Sequence, residues 1–240
     1  MHLSIIIPAY NEEKNLIYTI NEFNKYLRLQ KYSYEMIIVN DGSTDRTVKI
    51  AEELIKKIKN LYLINNIKNK GKGAVVKQGL LKASGRYRLF IDADNATSID
   101  HIDKIWKHFK NGSDVVIGVR HSNDADGACQ KIKQPIYKRF LGSIGNYIIQ
   151  FLTIRGIRDT QCGFKVFSEK AIQKIVPKIK INRWMFDVEM LILARKNNFK
   201  IAKIPVIWKN SQESRVGIKG YFISLKEILK IKLNIILKKY

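Results

Sequence analysis

Apolar and polar positions along the first half of the chain fall into alternating blocks. Residues 3–7 (LSIII) form a short apolar run stopped by Pro8, the pattern of a strand covered on both faces. Residues 12–29 then switch to helical spacing. A second apolar run, 35–40 (EMIIVN), ends in the polar stretch DGSTD, and 44–59 reads as a helix with Ser43 or Thr44 placed to cap it. The alternation continues: LYLIN as a third strand, the turn KNKGKG, a helix over about 74–83, RYRLFID as a fourth strand, a helix over 99–109, and DVVIGVR as a fifth. The second half is less regular. Residues 135–154 mix apolar and aromatic side chains with Lys138 and Arg139. IRDTQCGFKVFS reads as a loop entering a short strand, and RWMFDVEMLILARK as a helix. In the strand KIAKIPVIWK, Pro205 implies an edge or a bulge. Residues 221–240 carry Ile and Leu at helical spacing among many lysines.

Strand–helix alternation of this kind predicts an α/β fold, a mostly parallel sheet with helices on both faces. No repeat or low-complexity linker divides the chain. It reads as one domain over 1–215 followed by a basic amphipathic helix over 216–240. In such sheets ligands bind beyond the carboxyl ends of the strands. PAYNEE, NDGSTD, DADNATS and RHSND all fall there. The fourth strand ends in Asp92 and Asp94. If the strand persists, both carboxylates point the same way, and two like charges on one face either join a cation or mark a solvated strand end entering a turn.

Net charge changes the picture. Forty-four Lys and Arg against 21 Asp and Glu give +23, which implies an anionic partner: nucleic acid, a phosphorylated substrate or an anionic membrane surface. No run of about 20 apolar residues marks a membrane span. Two cysteines, Cys129 and Cys162, argue against a disulfide framework and suit a reducing compartment. A nucleic-acid binder is disfavoured, because no aromatic residues interleave with the basic ones and the acidic strand ends would repel a phosphate backbone.

The series SIIIPAYNEE, IIVNDGSTD, NKGKGAVVKQGLLKASG and FIDADNAT resembles family 2 glycosyltransferases of the GT-A fold. IRDTQCGFKVF and RWMFDVEMLILA look like the dolichyl-phosphate β-glucosyltransferase branch, and the matches span residues 3 to about 208. The resemblance implies an inverting enzyme that moves glucose from UDP-glucose to a dolichyl or undecaprenyl phosphate at the cytosolic face of a membrane, as a peripheral protein. It implies a nucleotide-sugar site made by Pro8, Ala9, Tyr10, Glu12, Asp41, Lys72 and Asp92. Mg²⁺ or Mn²⁺ would be held by Asp94 with Asp92. Catalytic residues would be Asp92, Asp94, Arg120 and Asp159, and Arg120 would meet the acceptor phosphate with Lys138 and Arg139. Other donors (GDP-mannose, UDP-GlcNAc) and other acceptors stay open. One departure stands out: the branch usually reads DADGAT, and Asn95 replaces that glycine.

Overall fold

The computed structural model describes residues 1–130, 136–209 and 218–240, with the side chains of 136–141, 143, 144, 218 and 219 outside that description. The first half follows the alternation. Strand β1 (Leu3–Ala9), helix α1 (Leu16–Leu27), β2 (Tyr34–Asp41), α2 (Thr47–Lys57), β3 (Leu61–Asn66), α3 (Lys72–Lys82) and β4 (Tyr87–Ile91) appear in that order. β1 pairs in parallel with β2 on one side and β4 on the other, and β3 extends the sheet beyond β2. Alternation within β1 explains why both faces are covered. Ile5 and Ile7 join one buried cluster with Leu16, Ile20 and Phe23 of α1; Ile6 joins the other with Val75, Val76 and Leu80 of α3.

Two helical starts move inward. The expected caps Ser43 and Thr44 do not cap α2; their groups are spent on Asn11 instead, while Asp45 accepts from the Thr47 N–H. The turn after β4 leads into a 3₁₀ segment (Ile99–Lys104) and a short α4 (Trp106–Lys110), where one continuous helix was expected.

The second half holds the larger surprise. After β5 (Val115–Val119), β6 (Cys129–Gln130) and α5 (Ile136–Leu152), the chain returns as β7 (Phe164–Ser168) and inserts between β4 and β5, antiparallel to both. Helices α6 (Glu169–Ile175) and α7 (Phe186–Lys196) follow, then β8 (Ile201–Pro205) as the far edge, giving the order β3-β2-β1-β4-β7-β5-β8. Pro205 ends that edge strand, and after Val206 the chain pairs β9 (Ile207–Trp208) with β6 as a separate small sheet. Helix α8 (Ile218–Ile236) packs on α5 and buries Ile228 and Ile231 in the same core as the β-sheet. The boundary expected near 215/216 falls outside the described residues.

Candidate active site

The polar loops gather at the carboxyl ends of β1, β2 and β4, as the parallel order requires. The loops after β1 and β2 are laced together. Asn11 N–H donates to Ser43 Oγ at 2.9 Å, Glu12 N–H to Thr47 Oγ1 at 2.7 Å, and Thr44 N–H to Asn11 Oδ1 at 2.8 Å. Asn11 adopts φ 53°, a left-handed conformation that Asn tolerates better than most residues. Pro8 and the buried Ala9 end β1, Tyr10 stands partly exposed above them, and Glu12 accepts from Asn15 Nδ2 at the start of α1.

Asp41, at the tip of β2, anchors the glycine-rich loop. Its Oδ1 accepts from Lys70 N–H at 2.6 Å and its Oδ2 from Gly71 N–H at 3.0 Å. Burial raises this carboxyl above its ordinary range, against the pull of those amides and of Arg183. Gly71 sits at φ 97°, and a Cβ there would overlap the Asn182 carbonyl oxygen, so only glycine lets the loop lie this close to the 181–185 segment. Behind it, Asn66 ties three elements: its Nδ2 donates to Asn40 O and Gln78 Oε1, and its Oδ1 accepts from Lys70 Nζ.

Lys72, the first residue of α3, lies against Asp92: Nζ and Oδ1 are 2.6 Å apart. Burial alone would lower the Lys72 ammonium, but the fields of Asp92 and Asp187 outweigh it and raise it. β4 ends at Ile91, so Asp92 and Asp94 leave the strand instead of sharing its face. Asp92 turns toward Lys72, and its backbone N–H donates to Gly163 O at 3.2 Å. Asp94 Oδ1 accepts from Ala96 N–H at 3.0 Å, an Asx turn. The turn needs φ 52° at Asn95. Glycine and asparagine are the two residues that reach this region most readily, which explains how Asn is accommodated at this turn.

Across the site, Arg120 follows β5. Its Nε and Nη2 donate to Asp159 Oδ2 and Oδ1 at 2.9 and 2.7 Å, and its backbone N–H donates to Oδ2 at 2.7 Å. Burial opposes both charges. Arg120 nevertheless holds the Asp159 carboxyl below the usual carboxylate range, and Asp159, aided by Asp92, raises the guanidinium. Trp208 of β9 lies 5.2 Å from the guanidinium carbon, ring centroid to Cζ. Asp124 extends the network, accepting from Asp159 N–H and from Lys203 Nζ.

Sequence reading missed a buried ion pair. Lys165 on β7, 0% exposed, meets Asp187 Oδ1 at 2.7 Å and donates to Cys162 O at 2.6 Å. A lone Lys inside the apolar run GFKVF was the available signal, since lysine is almost never fully buried without a partner. Asp187 and Glu189 have separate partners: burial raises the Asp187 carboxyl against Lys165 and Lys72, while Glu189 accepts from the Lys180 and Ile181 amides. Cys162 lies fully buried between these groups, its thiol pushed up to about 12, chiefly by burial. The side chains of Lys138 and Arg139 lie outside the described residues.

The donor set suits a hard divalent cation. Asp92 and Asp94 stand two residues apart just beyond β4, and Lys72 already offsets one of the anions. Among the described residues no group of three or more His, Cys, Asp or Glu side chains is placed to hold a metal. A cation here would take its remaining ligands from substrate phosphates and water.

A glycine-rich loop facing a D-x-D turn at the carboxyl ends of a doubly covered sheet defines a GT-A glycosyltransferase. The chain belongs to glycosyl transferase family 2, whose profile matches residues 4–176. It is 34% identical over 241 residues to a dolichyl-phosphate beta-glucosyltransferase of Trichomonas vaginalis, covering 96% of this chain and 73% of that one. It is 36% identical to the Dictyostelium discoideum enzyme of the same name, covering 99% and 76%. Among solved structures it is similar to glucosyl-3-phosphoglycerate synthase from Mycobacterium tuberculosis in complex with Mn²⁺, UDP and phosphoglyceric acid. That likeness has a TM-score of 0.71 at 15% identity, over 97% of this chain and 78% of that one.

Proposed function

We propose that this protein transfers glucose from UDP-glucose to a polyprenyl phosphate, with inversion, at the cytosolic face of a membrane. The observation that carries the reading is the meeting of donor-side and acceptor-side charges around Asp92. Lys72 contacts it at 2.6 Å on one side, and on the other the Asp92 N–H donates to Gly163 O, in the segment that also carries Asp159, the partner of Arg120. The relatives' name supports the donor and acceptor classes.

The loops after β1 and β2, with Asp41, would hold the uracil and ribose. Lys72 and the Gly71 backbone would face the diphosphate. Mg²⁺ or Mn²⁺, held by Asp94 and Asp92, would neutralise charge developing on the departing UDP. An acceptor phosphate monoester, with a second pKa near 6, is already mostly a dianion at neutral pH. It needs placement and charge neutralisation more than proton removal. Arg120 Nη1, the guanidinium nitrogen not given to Asp159, would meet that phosphate, and Asp159 would fix the fork. A phosphate oxygen bonds to the sugar C1 as the C1–O bond to UDP breaks.

No helix among the described residues is long and apolar enough to cross a membrane. We assign contact with a membrane surface to α8, whose outward stripe of Phe222, Leu225, Leu229, Leu233 and Ile236 is exposed beside Lys226 and Lys230. Tyr147 and Phe151, stacked on each other and exposed on α5, add aromatic surface of the same kind. Basic amphipathic helices of this kind lie in the interface plane, with about 1 kcal/mol per basic residue near anionic lipid.

The test is direct. The protein incubated with a panel of nucleotide sugars, a polyprenyl phosphate and Mn²⁺ should yield a glucosyl-phosphoryl lipid by mass spectrometry. A different sugar in the product would replace the donor, and no lipid product would remove the acceptor. Replacing Phe222, Leu229 and Leu233 by Ser should abolish sedimentation with anionic liposomes; unchanged sedimentation would remove the role of α8.

A further inference from the structure

One wall of the glycine loop is held from outside the sheet, by α8. The 181–185 segment faces that loop: Gly73 N–H donates to Arg183 O at 3.2 Å and Ala74 N–H to Asn182 O at 3.0 Å. It then runs directly into α7, whose first turn carries Asp187. Met185, the residue preceding α7, offers no side-chain cap to the helix. The cap comes from elsewhere. Glu227, midway along α8, accepts from Trp184 N–H at 2.9 Å and Met185 N–H at 3.0 Å. A carboxylate there satisfies donors that the helix cannot and is favoured by the positive end of its dipole.

The start of the same segment is held by a second carboxylate. Glu189 accepts from Lys180 N–H and Ile181 N–H, and it is joined to the Tyr240 hydroxyl just beyond α8. Residues 180–185 are thus gripped at both ends by acidic side chains, one borne on α8 and one bonded to the residues that follow it.

We propose that Glu227 is a positioning residue for the donor site. By fixing the Trp184 and Met185 amides it holds the Asn182 and Arg183 carbonyls against Gly73 and Ala74, and through them sets where Lys72 stands. The inference rests on the reading that this loop takes a nucleoside diphosphate. It assigns donor affinity to a contact made by the helix that bears the exposed apolar stripe.

The experiment uses the full chain as wild type, Glu227→Ala, Glu227→Gln and Glu227→Asp. UDP binding with Mn²⁺ is measured by calorimetry, and KM values are measured for the nucleotide sugar and for the lipid phosphate. Glu227→Ala should weaken UDP about tenfold and raise the donor KM in step, leaving the acceptor KM unchanged. Glu227→Gln keeps an acceptor oxygen and should recover most of the loss. If Glu227→Ala does not fold, Glu227→Asp, one methylene shorter, should still show a smaller loss of the same kind. A folded Glu227→Ala or Glu227→Asp that binds UDP as wild type does, whatever its melting temperature, would overturn the assignment. A wild type that binds no UDP would instead overturn the donor reading, and this inference with it.

Discussion

Arg120 and Asp159 face each other as a two-pronged ion pair, both carboxylate oxygens taken by the guanidinium and one taken again by the arginine's own backbone N–H. Because Asp159 is buried, removing its charge leaves Arg120 without compensation. Asp159→Asn should cost about 3–5 kcal/mol at neutral pH. The native Asp159 pKa lies below its unfolded value, so its stabilisation is complete above the ordinary carboxylate pKa of about 3.9 and is lost as pH falls through the lower native value. The melting-temperature gap between wild type and Asp159→Asn should therefore narrow on acidification below about pH 4. A gap that stays constant to lower pH would show that the carboxylate's charge is not what stabilises the pair.

Lys72 and Asp92 give an expectation with two opposite signs. Before donor arrives, Lys72 competes with any divalent cation for Asp92. Lys72→Met should then tighten Mn²⁺ binding in the absence of nucleotide. With nucleotide present it should weaken UDP by about tenfold or more, as expected for loss of a hydrogen bond to a charged group. Calorimetric titrations of Mn²⁺ alone and of UDP at saturating Mn²⁺ check both; the same sign in both would contradict the arrangement.

Gly163 fixes the other side of Asp92. A Cβ at this position would overlap the Asp92 carboxylate. Gly163→Ala should displace Asp92 and sharply reduce Mn²⁺-dependent UDP binding, at a stability loss of about 1–3 kcal/mol. Its comparison is Asn95→Gly, which keeps the left-handed turn available and should leave UDP binding within about twofold of wild type. Equal binding losses in the two variants would mean that the turn, and not the carboxylate's place, governs affinity.

The buried pair Lys165–Asp187 separates structure from chemistry. Lys165→Met leaves Asp187 buried beside Lys72 alone and should destabilise by about 3–5 kcal/mol. Adding Asp187→Leu should recover much of that stability. UDP binding that returns along with it would place the pair among the supports of the fold; binding that stays low would tie Asp187 to the donor site through Lys72.

The strand ends that carry the polar loops were legible in the chain because their signals are local. Apolar runs stop at Pro8, Asp41 and Asp92, so the strand ends that carry the polar loops can be read directly. The pairings across the site could not be read in that way. Asp159 meets Arg120 across 39 residues and Lys72 meets Asp92 across 20, and period-two alternation says nothing about such partners. The condition for Asp92 and Asp94 to share a strand face, that the strand persists through them, is not met: β4 stops at Ile91 and Asn95 turns the chain. Capping of α2 was misread for a related reason: Ser43 and Thr44 had a partner in Asn11, on a different loop, that competed with the local helix end. Lys165 was overlooked inside an apolar run, and nothing local in the chain pointed to its partner on α7.

The antiparallel insertion of β7 has a consequence for how the molecule assembles. β1 to β4 can pair with one another as soon as 91 residues exist, but β5 has no neighbour in the sheet until residues 164–168 are available to lie between it and β4. Long-range pairings close slowly and late. The nucleotide half should therefore gain protection from hydrogen exchange early in refolding, with β5, β7 and β8 protected together afterwards. Synthesised from its N-terminus, the chain would have β1 to β4 paired before Arg120 and Asp159 could meet, and the 181–185 segment that braces the glycine loop would arrive later still.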